Sequence, residues 1–198
     1  MRQTEIDYWD GVCRERIVEG GAINDNWLKR MVMMSHFSKY NWMNERVLEI
    51  GVGAGISAAI LKIACGGAWD YTGTDLSTEY AKAADQWKLK VVQADVLSLP
   101  AGPFTRVLAL DSLEHVRQED RPKGYDCIVE RMEEGAIMFI NIPLTESQHQ
   151  DDYDHGFGLN DLHELENRGM TLQKYETYIC DYPKIKLRRH YAMAVLSK

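Results

Sequence analysis

Arg46-Val47-Leu48-Glu49-Ile50-Gly51-Val52-Gly53-Ala54-Gly55 sets an apolar run against three glycines at alternate positions, and its reading decides the fold. Val47 to Ile50 has the aliphatic, β-branched content of a buried strand. Gly51, Gly53 and Gly55 permit a tight turn and close backbone approach. Ile56 to Ile63 then continues with small and apolar residues at helical spacing. Strand, glycine turn and helix in this order put backbone N–H groups and a helix N-terminus where a ligand can reach them. The G-x-G-x-G spacing behind Glu49 differs from the G-x-G-x-x-G of dinucleotide-binding folds.

The same alternation runs through the rest of the chain. The pattern predicts strands at Val47–Ile50, Trp69–Thr74, Lys90–Gln93, Thr105–Leu110 and Ala136–Ile140. Between them it predicts helices over Gly55–Ala64, from a Ser77 cap to about Trp87, and over Pro122–Met132. Another helix, Asn160–Arg168, stops at Gly169. Strands Thr171–Ile179 and Arg189–Leu196, joined around Pro183, predict an antiparallel hairpin. Ahead of the first strand, Thr4 to Tyr40 carries helical spacing broken at Gly20-Gly21, with Asn24 or Asp25 as a cap for the second half. The expected fold class is α/β, a Rossmann-like, doubly wound, mostly parallel seven-stranded sheet with an antiparallel closing hairpin and an N-terminal helical cap. One domain over 1–198 is expected, with the cap at 1–44 and the core at 45–198. Ligands in such a fold gather at the carboxyl ends of the strands.

The chain has 198 residues and a net charge of −7, enough length for one full core and the wrong charge for a phosphate-tracking surface. Cys13, Cys65, Cys127 and Cys180 are scattered without a C-x-x-C pair, the pattern of reduced thiols in a cytoplasmic protein. The polar start, Met1 to Asp10, does not read as a signal peptide, and no apolar run reaches the ~20 residues of a membrane span. Nucleic acid and membrane are therefore not the expected partners.

Three later segments complete the pattern. Tyr71-Thr72-Gly73-Thr74-Asp75-Leu76-Ser77 ends the second strand with a carboxylate about twenty positions past the glycine turn, placed to accept bonds from both hydroxyls of a ribose. Gln93-Ala94-Asp95-Val96 ends the third strand. Ala109-Leu110-Asp111-Ser112-Leu113-Glu114-His115-Val116 ends the fourth. In this order and spacing, over about Trp42 to Pro143, these segments resemble the motifs of class I S-adenosylmethionine (SAM) dependent methyltransferases of the small-molecule type. Glu134-Gly135 before strand five departs from the Gly-Gly frequent in that family.

The resemblance implies SAM as cofactor, S-adenosylhomocysteine (SAH) as product, and a role for each residue. Glu49, Gly51, Gly53 and Gly55 line the methionine and ribose moieties. Asp75 holds the ribose hydroxyls, Leu76 packs on the adenine face, and Asp95 and Val96 read the adenine edge. Asp111 and Ser112 face the methionine end. Trp9, in Asp7-Tyr8-Trp9-Asp10, is a candidate to close over the cofactor, with simple packing as the alternative.

A sulfonium methyl is electrophilic without help, so alignment of the acceptor does most of the work. A hydroxyl acceptor also benefits from a base matched to neutral pH. His115, after strand four, and His155, in the polar connection Asp151-Asp152-Tyr153-Asp154-His155-Gly156-Phe157, are the candidates, with His149 third. Asp111, Glu114 and His115 also resemble the divalent-metal ligands of a few relatives, with His149 or His155 completing a set suited to Mg²⁺ or Mn²⁺; no metal is assigned, because the Glu-His pair is widespread in relatives that need none. The expected activity is methyl transfer to a small-molecule or sugar acceptor, at oxygen. The alternatives are a metal-assisted enzyme of the RNA 2′-O-methyltransferase kind, a non-catalytic SAM-binding partner protein, and an NAD-dependent oxidoreductase. The glycine spacing and Asp95 speak against the last.

Overall fold

The computed structural model describes residues 3–18, 33–64, 66, 68–144, 155–182 and 187–198. The Gly20-Gly21 break, Asn24, Asp25, Cys65, His149 and Pro183 lie outside the described residues. The elements fall into two compact units, 1–95 and 96–198, which supply the strands of a seven-stranded mixed sheet.

The first unit holds α1 (Gln3–Val18), a helical segment over 33–37, β1 (Arg46–Ile50), α2 (Ile56–Ala64), β2 (Asp70–Asp75), α3 (Thr78–Ala84), a 3-10 turn at Asp85–Trp87, and β3 (Val91–Gln93). β1 pairs in parallel with β2, from Arg46 opposite Asp70 to Ile50 opposite Thr74. β2 pairs in parallel with β3, from Gly73 opposite Val91 to Asp75 opposite Gln93. The order is β3-β2-β1. Val47, Leu48, Glu49 and Ile50 are all buried, which is why this strand reads as a continuous run and not as an alternation. α2 turns Ser57, Ala58, Ala59 and Leu61 inward. Side chains this small admit close helix packing, and truncating Leu61 to Ala would cost about 2–5 kcal/mol. α3 starts at the cap its sequence announced: Ser77 Oγ accepts the Tyr80 N–H at 3.0 Å. Trp42 is buried, donates its indole N–H to Phe37 O at 2.8 Å and meets Trp69 edge-on, so it fastens the 33–37 segment to the start of β2.

The second unit holds β4 (Phe104–Leu110), a 3-10 turn at Leu113–His115, α4 (Arg121–Arg131), β5 (Met132–Pro143), α5 (Leu159–Glu166), β6 (Thr171–Tyr182) and β7 (Leu187–Ser197). β4 and β5 run parallel, while β7 lies antiparallel between β5 and β6, giving β4-β5-β7-β6. Tyr191 to Leu196 on the inner β7 are buried without a break, whereas Thr171 to Ile179 on the outer β6 alternate exposed and half-buried. β5 begins at Met132, four residues before the sequence pattern placed it. Glu133-Glu134-Gly135 reads locally as a loop. Its partner is the distant C-terminus: Gly135 N–H donates to Lys198 O at 3.0 Å, and Lys198 N–H to Ala136 O at 2.9 Å. α5 ends as expected at Gly169, whose φ of 89° is glycine's own territory.

Among the described residues no helix is long and apolar enough to cross a membrane. Cys13, Cys127 and Cys180 are unbridged. Burial, followed by the carboxylates of Glu79, Asp75 and Asp10, pushes the Cys13 thiol up to about 11, so it stays protonated and unreactive at neutral pH.

Candidate active site

The turn after β1 places each of its glycines in left-handed backbone, with φ of 71° at Gly51, 53° at Gly53 and 76° at Gly55. Gly53 and Gly55 are glycine for different reasons. A Cβ on Gly55 would stand 2.9 Å from Leu89 Cδ1 and 3.1 Å from Trp87 Cδ1, so this residue lets α2 begin against the segment before β3. A Cβ on Gly53 would meet nothing within 4 Å. Its left-handed backbone and the open space beside it fit the close approach of a ligand. The Gly51 and Val52 N–H groups both donate to Thr74 O at 2.9 Å, which draws the turn over the end of β2.

Asp75 organises this edge. Its carboxylate is buried; Oδ2 accepts the Gly53 N–H at 2.8 Å and Oδ1 the Ser77 N–H at 2.9 Å. Two such bonds orient an acceptor that has about four lone-pair sites. Its carbonyl accepts the Ala94 N–H at 3.1 Å, which brings Asp95 alongside, and Gln93 donates to Leu76 O at 3.1 Å. The glycine turn, Asp75, Leu76 and Asp95 thus meet at one carboxyl edge of β1, β2 and β3. Glu49, 1 % exposed, accepts the Tyr71 hydroxyl at 2.6 Å. Burial and then the Glu49 carboxylate push the Tyr71 phenol well above its ordinary range, so it remains a donor. These donors and acceptors fit the group the sequence implies, a nucleoside with two ribose hydroxyls and an adenine amino group.

Sequence reading missed Asp10. From α1, its carboxylate accepts the Ser77 hydroxyl at 2.6 Å, the Thr78 hydroxyl at 3.1 Å and the Glu79 N–H at 3.2 Å. It therefore caps α3 from another helix and holds α1 beside the Asp75 loop. Burial pushes this carboxyl up, but the bonds from Ser77, Glu79 and Thr78 outweigh it and hold Asp10 below the usual 3.8. Trp9, its neighbour, is half-buried with its ring edge-on to Tyr8 at 5.0 Å.

In the second unit Val96 is buried against α4, where a Cβ on Gly124 would stand 2.9 Å from its Cγ1. Its side chain serves packing. Asp111 follows β4 at a φ of 55°, and the buried Ser112 Oγ has no hydrogen-bond partner among the described residues. In the next turn Glu114 is buried, and His115 Nε2 stands 3.9 Å from its Oε1. His155 N–H donates to Glu114 O at 2.9 Å, so the structure brings both candidate histidines to one turn. His155 Nε2 is buried and has no partner among the described residues.

Arg121, also missed, is what holds them there. Only 6 % exposed, it donates to Val116 O at 2.9 Å, Glu114 O at 3.4 Å, Asp161 Oδ1 at 3.1 Å and, most closely, Gly156 O. Asp161 also accepts the Tyr125 hydroxyl at 2.7 Å and the Gly158 N–H at 2.8 Å. Phe157 is buried beneath Arg121 and Tyr125. In sequence Arg121 is merely a charge at a helix start; its partners lie up to 40 residues away.

Asp111, Glu114 and His115, whose resemblance to the metal ligands of a few relatives led to no metal assignment, do not converge. Among the described residues no three His, Cys, Asp or Glu side chains converge as a metal site requires. Asp111 Oδ1 is instead drawn 2.9 Å from Asn141 Nδ2.

Residues 47–135 match a protein family described as methyltransferase domain, and the match runs across the boundary between the two units. No curated protein matches the chain. Among solved structures, a chain from the complex between the Haloferax volcanii Trm112 methyltransferase activator and a methyltransferase is 12 % identical with a TM-score of 0.75, covering 96 % of each chain. The N-methyltransferase NodS of Bradyrhizobium japonicum WM9 is 15 % identical with a TM-score of 0.70, covering 89 % of this chain and 98 % of that one. A SAM-dependent methyltransferase of Methanosarcina mazei is 13 % identical with a TM-score of 0.67, covering 82 % and 96 %. At these identities the likeness carries the fold, and the match over 47–135 carries the domain. Residues 47–135 thus match a methyltransferase domain, carried on a fold shared with SAM-dependent methyltransferases of known structure.

Proposed function

We propose that this chain is a class I SAM-dependent methyltransferase that methylates a small-molecule or sugar acceptor at oxygen, in the cytoplasm, and that 1–198 forms one methyltransferase domain. The observation that carries the cofactor half of this reading is the junction of Gly53, Asp75 and Ala94-Asp95 at one strand edge, through bonds of 2.8 Å and 3.1 Å. When bound, SAM supplies a methyl group made electrophilic by its sulfonium. Asp75 accepts bonds from the ribose hydroxyls, Leu76 packs on adenine, and Asp95 with the backbone of Val96 reads the adenine edge. Glu49 and the glycine turn line the methionine and ribose moieties, Asp111 and Ser112 take the methionine end, and Trp9 closes over the cofactor from α1.

The acceptor half rests on charge and on the histidines. A net charge of −7 disfavours nucleic acid. An acceptor hydroxyl loses its proton to His155 Nε2, a buried ring nitrogen without a partner among the described residues, with His115 as the second candidate. The test is transfer of label from [methyl-³H]SAM in parallel to pooled hydroxyl-bearing metabolites, to RNA and to protein. Label in the metabolite pool, recovered as a methyl ether, is the expected result. Label in RNA or protein, or on nitrogen, rejects the acceptor assignment. Once an acceptor is in hand, full turnover by His155→Ala or His115→Ala excludes that imidazole as the base.

A further inference from the structure

Asp111 sits in the left-handed region that residues other than glycine seldom adopt, its φ being 55°. Two bonds to one residue hold it there. The Asp111 N–H donates to Asn141 O at 2.7 Å, and Asn141 Nδ2 donates to Asp111 Oδ1 at 2.9 Å. Asn141 is 0 % exposed, and its Oδ1 lies 2.5 Å from the Tyr178 hydroxyl. Tyr178 stands on β6, its ring stacked on Tyr191 of β7 at 5.4 Å between centroids.

The direction of this chain follows from chemistry. A carboxylate only accepts, so the amide must turn its NH₂ toward Asp111 and its oxygen toward Tyr178. The phenol must then donate. Both side-chain protons point toward the Asp111 carboxylate, and each of these bonds polarises the other. Without the hydroxyl, the buried amide oxygen loses this donor, and the amide is held less firmly toward Asp111.

We infer that Tyr178, acting through Asn141, is a positioning residue that fixes the Asp111 carboxylate at the carboxyl end of β4 for SAM binding. This rests on the assignment of Asp111 to the methionine end of SAM. Tyr178→Phe removes the hydroxyl and keeps the ring on Tyr191. With SAH as the calorimetric probe and the full chain, Tyr178→Phe weakens affinity by about three- to tenfold, as loss of one buried bond implies. Asp111→Asn weakens it at least as much. In the double variant the phenol no longer matters, and Tyr178→Phe then changes affinity less than twofold. A purely structural role for Tyr178 would multiply the two losses. The Asn141 side-chain NH₂ resonances give an independent reading of the chain: exchange with solvent accelerates at least tenfold in Tyr178→Phe. Unchanged SAH affinity in Tyr178→Phe, multiplicative losses, or unchanged Asn141 exchange each overturn the inference. A wild-type chain that binds no SAH, with Asn141 exchange still accelerated by Tyr178→Phe, removes the cofactor assignment instead.

Discussion

Replacing Asp75 by Asn changes a charged acceptor pair into one acceptor and one donor of nearly the same shape. In the structure both carboxylate oxygens accept backbone N–H groups, from Gly53 at 2.8 Å and Ser77 at 2.9 Å. An amide keeps one of these bonds and turns its own NH₂ on the other N–H. Losing one buried bond to a charged acceptor costs about 1.5–3 kcal/mol of folding stability. Binding suffers separately, because the ribose hydroxyls then face a neutral group. We expect SAH affinity to fall by about 1–3 kcal/mol, roughly five- to 150-fold in Kd. Calorimetry with SAH, on protein shown to be folded by its melting transition, reads this directly. A folded Asp75→Asn variant with wild-type SAH affinity would refute the ribose assignment, and wild-type stability would refute the two N–H bonds.

Three further outcomes follow from the same geometry. Gly55→Ala, which combines a φ of 76° with a Cβ 2.9 Å from Leu89, should lower stability by about 2 kcal/mol or more, whereas Gly53→Ala meets open space and should cost about 1 kcal/mol yet lose SAH affinity. Equal melting temperatures for the two variants would contradict this. Asp10, held below 3.8 in the folded chain, contributes its clamp fully above the ordinary carboxylate range and loses it as pH falls through its lowered value. Fluorescence of Trp9 should therefore change in acid below about pH 4 in the wild type, and that step should be missing in Asp10→Asn. Arg121→Gln strips donors from buried carbonyls and from Asp161, so the unfolding free energy in urea should drop by about 3 kcal/mol; a loss under 0.5 kcal/mol would show the clamp to be dispensable.

The parts legible in sequence were those whose cause is local. Val47–Ile50 is apolar because both strand faces are buried, Ser77 caps the helix that follows it, and Gly169 stops one; each of these is decided within a few residues. That Gly51, Gly53, Gly55, Asp75 and Asp95 share one edge was legible because β1, β2 and β3 are parallel and bring their carboxyl ends together. Asp10, Arg121, Asn141 and Tyr178 were not, since each takes its meaning from a partner 30 to 69 positions away. β5 was read too short for the same reason, its first residues being completed by Lys198 at the C-terminus. Asp111, Glu114 and His115 show that nearness in sequence is not convergence: Asp111 Oδ1 accepts from Asn141, 30 positions away.

The central claim is that the edge joining Gly53, Asp75 and Asp95 receives an adenosyl sulfonium cofactor. Titration of the wild-type chain with SAH and with NAD⁺ in the same calorimeter tests it most directly. One SAH bound per chain, displaced by SAM and indifferent to NAD⁺, is the predicted result; saturable binding of NAD⁺ with none of SAH would contradict it.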